Sequence, residues 1–181
     1  MSAIERAAAR KILDSRGNAT VEVDLYAPGR FRAAAPSGAS TGAHEAPAFP
    51  EGGIDAALRL FANEVAPRIR GRDVADQVGL DHLLREIDGR PNFARIGGSL
   101  AVAVSLANAK AAAHAAGQPL YRFIGGPAAT KLPFPLGNVI GGGRHAIGGT
   151  TIQEFLVISQ GPSAAGNVFA NARVHHPVGD A

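Results

Sequence analysis

The chain has 181 residues, 46% of them hydrophobic, a formal net charge of +3 and no cysteine. That is enough apolar content to build a core in one or two domains, and the missing cysteines exclude a disulfide framework, thiolate chemistry and a cysteine-based zinc site. Basic residues are spread without a dense run and only 6% of residues are aromatic, which excludes the charged, stacking surface of a nucleic-acid binder.

The start, MSAIERAAARKIL, lacks the long apolar stretch of a signal peptide. No run of about 18 uncharged apolar residues offers a membrane span. The cytoplasm is the expected location, with neither nucleic acid nor membrane as partner. Residues 4–12 read as a first extended segment, closed by the turn signal Asp14-Ser15-Arg16-Gly17-Asn18. Thr20 to Tyr26 then alternates cleanly, with Val21, Val23 and Leu25 to one side and Glu22 and Asp24 to the other, as in a half-buried strand. After Pro28-Gly29, Arg30 to Ala35 reads as a third strand of a meander. Pro36-Ser37-Gly38-Ala39-Ser40-Thr41-Gly42 has three hydroxyls, two glycines and no apolar face. It is either a mobile polar loop or a linker to the helices.

Ile54, Leu58, Phe61, Val65 and Ile69 mark one apolar helix face, with Pro67 expected to kink or shorten that helix. Asp73 is the expected N-cap of a second helix reaching Ile87. Gly89-Arg90-Pro91-Asn92 ends it. Ser99 is the expected cap of a third, alanine-rich helix that runs to His114 or Ala116 with Leu100, Val104, Ala107 and Ala111 on one face. Strands followed by helices make an α+β unit, and the Gly/Pro shift places a boundary near residue 127.

Beyond it come two β-type runs, 132–140 and 152–158, and a helix start at Val168 to Val174. Between the runs lies a glycine-rich loop holding Arg144 and His145. A loop so placed is either a lid carrying a histidine or a plain turn. Gln153-Glu154 at the mouth of the second run are either site residues, since a buried carboxylate needs a partner, or ordinary surface residues. Two strands and part of a helix do not close a domain, so the sequence reads as ending inside its second one. The scattered histidines make no H-E-x-x-H pattern, and Gly141-Gly142-Gly143-Arg144 lacks the Walker and Rossmann contexts. His175-His176 do not share a helix face.

Four stretches in series resemble the enolase family: Arg10 to Asn18 with Thr20-Val21-Glu22-Val23; Pro36 to Gly42; Leu136 to Ile140 with Gly142-Gly143; and His145 through Gln153-Glu154-Phe155. The likeness covers nearly the whole chain and leans toward archaeal-type forms. It implies a three-stranded antiparallel sheet followed by helices over 1–127, then over 128–181 the opening two strands and helix of an incomplete enolase-type (β/α)8 barrel, C-terminally truncated. The implied reaction is reversible dehydration of 2-phospho-D-glycerate to phosphoenolpyruvate, with two Mg²⁺ ions stabilising an enediolate.

By the same resemblance, Ser40 is a loop ligand of the second Mg²⁺ and His145 closes in near the phosphate. Glu154 hydrogen-bonds toward the leaving hydroxyl, and Gln153 lines the pocket. The lysine base and the primary metal ligands correspond to no residue here, so the isolated chain is expected to be inactive; a non-catalytic, enolase-derived interaction module is the alternative. Arg16 and Glu22 match the family's subunit-contact region, implying a homo-oligomer, dimer or higher. Pro47-Ala48-Phe49-Pro50-Glu51 departs from the family's acidic-aliphatic pattern after the first loop, and Ala146-Ile147 from the small-residue step after the histidine.

Overall fold

The computed structural model describes residues 2–36, 38, 42–143 and 148–179, the last three as backbone only. They form two compact units, Met1–Ala129 and Thr130–Ala181.

The first unit opens with β1 (Arg6–Leu13), β2 (Ala19–Tyr26) and β3 (Arg30–Ala34) in an antiparallel sheet of order β1-β2-β3. The β1–β2 turn is held by Asp14. Its carboxylate accepts the N–H groups of Arg16 (2.9 Å) and Asn18 (2.8 Å) while Gly17 takes φ +78°. The alternation of β2 sends Val21, Val23 and Leu25 into the core, all fully buried.

Helices cover that face. α1 (Gly53–Leu60) runs into a π-helical turn, Phe61–Val65, and then α2 (Ala66–Ile69). The proline leaves this rod continuous instead of breaking it. Pro67 has no N–H and its ring crowds the carbonyl four residues back. The wider π turn just before it, closed by the Ala66 N–H on the Phe61 carbonyl, accommodates that defect. Phe61, Val65 and Ile69 still reach the core, and Ile54 and Leu58 pack at its edge.

α3 (Gln77–Asp88) begins later than the sequence indicates. Asp76 is its N-cap, accepting the Gly79 N–H at 2.9 Å. Asp73 instead accepts the Ala75 N–H in the preceding turn, and Val74 is tied to the chain start through its N–H on the Ser2 carbonyl. α4 (Gly98–Ala115) follows, capped by Gly97 rather than Ser99, and lies across β2 and β3. Leu100, Val104, Ala107 and Ala111 are all buried there; the alanines let the helix backbone approach the sheet closely. α5 (Leu120–Gly125) completes the unit.

The second unit holds β4 (Leu136–Gly141) and β5 (Glu154–Ile158), an antiparallel pair, with α6 (Ala164–Gly179) against it. Asn171 joins them. Its side chain donates to the Pro135 carbonyl (2.8 Å) and accepts the Ser159 N–H (3.0 Å). Leu136, Leu156 and Ile158 on the strands and Phe169 on the helix remain exposed. A three-stranded sheet with helices, then two strands and a helix consistent with an incomplete barrel, is the architecture the sequence implies. Among the described residues no helix is long and apolar enough to cross a membrane.

Candidate functional site

The glycine-rich loop grows out of the β4–β5 hairpin. A bulge between Asn138 and Ile140 shifts the register, so Ile140 faces Phe155 and Gly141 faces Glu154. Beyond Gly141 the two chains stay joined for one more step. The Gly142 N–H donates to the Gln153 carbonyl and the Gly143 N–H to the Thr150 carbonyl, both at 2.8 Å. Gly142 is glycine for a steric reason: an added Cβ would stand 2.3 Å from the Ile152 carbonyl oxygen. Gly143 is glycine for a conformational one, at φ +59°.

This neck brings Gln153 and Glu154 to the base of the loop. The Glu154 side chain is exposed, so the burial cost invoked from sequence does not apply to it. Strand pairing, not desolvation, sets its position. His145, with Arg144 and its two following neighbours, lies outside the described residues, as does Ser40.

The feet of the first loop are described. Pro36 and Gly38 line a cleft of about 450 Å³ with Glu45, Ser99 and Val102. The Glu45 carboxylate accepts the Gly42 N–H at 2.9 Å, and the Glu45 N–H returns to the Gly42 carbonyl at 3.2 Å. Sequence reasoning gave Glu45 no role. The signal it missed is a carboxylate three residues after a glycine that ends a polar loop.

The outer face of the first sheet carries a second polar cluster. Asp24 is 3% exposed although the alternation points it away from the core. Arg32 grips it with two bonds (2.8 and 3.0 Å) and Arg10 adds a third (2.7 Å). Arg32 first, with Arg10 beside it, holds the Asp24 carboxyl well below the ordinary carboxylate range against the opposing effect of burial. Glu22 is ion-paired with the same two arginines. Arg16 is exposed in the β1–β2 turn.

Among the described residues no group of three or more histidine, aspartate or glutamate side chains is placed to hold a metal ion. The family model for the enolase N-terminal domain matches residues 4–124. The chain belongs to the enolase family. It is 51% identical over 178 residues to the enolase of Thermoplasma acidophilum, covering 98% of this chain and 44% of that protein. Against the enolase of Methanothermobacter thermautotrophicus it is 51% identical over 177 residues, covering 96% and 42%. Against that of Halobacterium salinarum it is 50% identical over 185 residues, covering 99% and 46%. The chain therefore spans less than half the length of these enolases.

Proposed function

We propose that this chain contributes the N-terminal domain (1–127) and the first barrel elements (128–181) of a phosphopyruvate hydratase, a lyase that interconverts 2-phospho-D-glycerate and phosphoenolpyruvate plus water in glycolysis and gluconeogenesis. The observation that carries this reading is identity of about one half to enolases along essentially all of the chain.

The chemistry sets the division of labour. A proton α to a carboxylate leaves only if the charge that develops is met by fixed positive groups, and hydroxide leaves only with a proton supplied. Mg²⁺ supplies the positive charge in this family's reaction. The described residues here do not assemble a magnesium site; Ser40 is the candidate ligand that this chain offers. Glu154 acts on the leaving-group side, holding a hydrogen bond toward the departing hydroxyl. Its exposed position at the neck of the glycine loop leaves it accessible for that role. Gln153 lines the pocket beside it, and His145 comes in near the phosphate from the loop that the Gly142–Gln153 bond anchors.

In this reading the 181 residues alone turn over nothing, the protein works in the cytoplasm, and it assembles as a homo-oligomer through the Arg16 and Glu22 region. The test is a fusion in which residues 1–181 replace the matched portion of the Thermoplasma acidophilum enolase. The expected result is magnesium-dependent formation of phosphoenolpyruvate by the fusion and none by the chain alone. A folded, oligomeric fusion without turnover would overturn the proposal.

A further inference from the structure

The segment Pro47-Ala48-Phe49-Pro50-Glu51 has no part in the reaction above. In the structure it forms one wall of a cleft of about 440 Å³ in the first unit, a size typical of small-molecule sites. The wall is clamped from behind. The Gly98 N–H donates to the Pro47 carbonyl (2.8 Å) and the Ser99 N–H to the Ala48 carbonyl (3.1 Å), using donors that the start of α4 leaves without helical partners. Gly97, at φ +90°, permits the approach: a Cβ there would lie 2.8 Å from the Ala48 carbonyl oxygen and 3.0 Å from Phe49 Cα.

The rest of the cleft is equally fixed. Leu60 contributes apolar surface from the end of α1. Arg90 and Arg95 come from the loop after α3, which the buried Asp88 carboxylate holds by accepting the N–H groups of Arg90, Arg95 and Ile96 at 2.8–3.1 Å. Arg95 is consumed by structure. It donates to the Ile87 carbonyl (2.6 Å) and to both oxygens of Glu64 (2.6 and 2.7 Å) in the π turn. Arg90 is different. Its backbone is held, yet its exposed guanidinium has no partner among the described residues. The Glu51 carboxylate is also exposed and unpartnered among them.

We propose that this cleft binds a small organic monocarboxylate with a flat apolar body. The ring lies on Phe49 and the prolines, and the carboxylate takes the planar fork of Arg90. Glu51 works against a dianion or a phosphate by like-charge repulsion, which gives the site its selectivity. The binding walls are pre-formed, so little ordering opposes association.

The experiment is a ¹⁵N NMR titration of the 181-residue chain with phenylacetate, and separately with inorganic phosphate. For a ligand of this size, saturation in the millimolar range is expected, with shifts centred on the Ala48, Phe49 and Arg90 amides. Arg90→Ala, whose side chain supports no described contact, should weaken phenylacetate by about tenfold. Glu51→Gln should tighten it and admit phosphate. Absence of saturable shifts, equal binding of phosphate by the unaltered chain, or unchanged affinity in Arg90→Ala would overturn the proposal.

Discussion

Replacing Gly142 with alanine tests how the glycine loop is anchored. The added methyl would meet the Ile152 carbonyl oxygen at 2.3 Å, Thr150 Cγ2 at 2.5 Å and the Thr150 carbonyl oxygen at 2.6 Å. Two of these are backbone atoms, so rotation of a side chain does not relieve the clash. The two arms of the neck must separate by on the order of 1 Å to restore ordinary contact. That separation breaks the Gly142-to-Gln153 and Gly143-to-Thr150 hydrogen bonds, at about 1 kcal/mol each, with about 1–3 kcal/mol of residual strain. A local loss of about 3–5 kcal/mol follows.

Hydrogen exchange followed by NMR reads this directly. Protection of the Gly142 and Gly143 amides should fall about a hundredfold or more, or to the unprotected limit, while the α4 amides of the first unit stay as they are. Gly148→Ala is the control. Gly148 has φ +79°, and among the described residues nothing lies within 4 Å of its Cβ, so it costs the left-handed penalty of about 1–2 kcal/mol. Equal protection in Gly142→Ala and the unaltered chain, or a larger effect from Gly148→Ala, would refute the steric reasoning.

Asp24→Asn should destabilise the first unit by about 1–3 kcal/mol at pH 7, because it removes the buried carboxylate that takes three arginine hydrogen bonds while Glu22 still faces both arginines. The Asp24 carboxyl is held below its ordinary value, so its contribution is complete above about pH 5 and fades as the pH falls through and below about 4. Urea titrations of the two proteins should therefore differ at neutral pH and converge in acid; a constant gap down to pH 2 would contradict this. Asp88→Ala removes the acceptor for three backbone N–H groups and should cost about 3–5 kcal/mol in the same assay. Asp88→Asn should rescue little, since one of its two polar atoms becomes a donor facing donors. Ala107→Leu, at a fully buried site on the α4 face over the sheet, should cost about 1–3 kcal/mol by overpacking; a thermal midpoint unchanged from the parent would show the helix free to move off the sheet.

Local patterns carried the fold well wherever one chemical rule decided the outcome. The strict alternation of β2 and the apolar face of α4 led directly to the buried Val21, Val23, Leu25, Leu100 and Val104. Competition between equivalent local signals was harder. Asp73 and Asp76 are both capping residues, and the choice fell to Asp76 because residues 73–74 are engaged with the chain start through the Ala3–Asp73 bridge. The π turn answers to Pro67 and to the need to keep Phe61 and Ile69 on one face, a compromise that periodicity alone does not show.

Asp24 was legible as an outward residue but not as a buried one. Its burial depends on register: Arg32 stands directly across from it and Arg10 across from Glu22, so three strands must pair before the cluster exists. For the site, the sequence placed Gln153 and Glu154 at a strand mouth, and the structure adds the bulge that sets Glu154 opposite Gly141. The Arg90 cleft had one trace in the sequence, the Pro47–Glu51 departure. Its other wall comes from residues some forty positions away, which no local pattern connects.

The most direct test of the central claim is the effect of Glu154→Gln in the fusion with the Thermoplasma acidophilum barrel. If Glu154 serves departure of the hydroxyl, phosphoenolpyruvate formation should fall by about a hundredfold or more. Exchange of the α proton of 2-phosphoglycerate with D₂O, which precedes that step, should continue. Full turnover in the variant, or loss of exchange and dehydration together, would contradict the role assigned to Glu154.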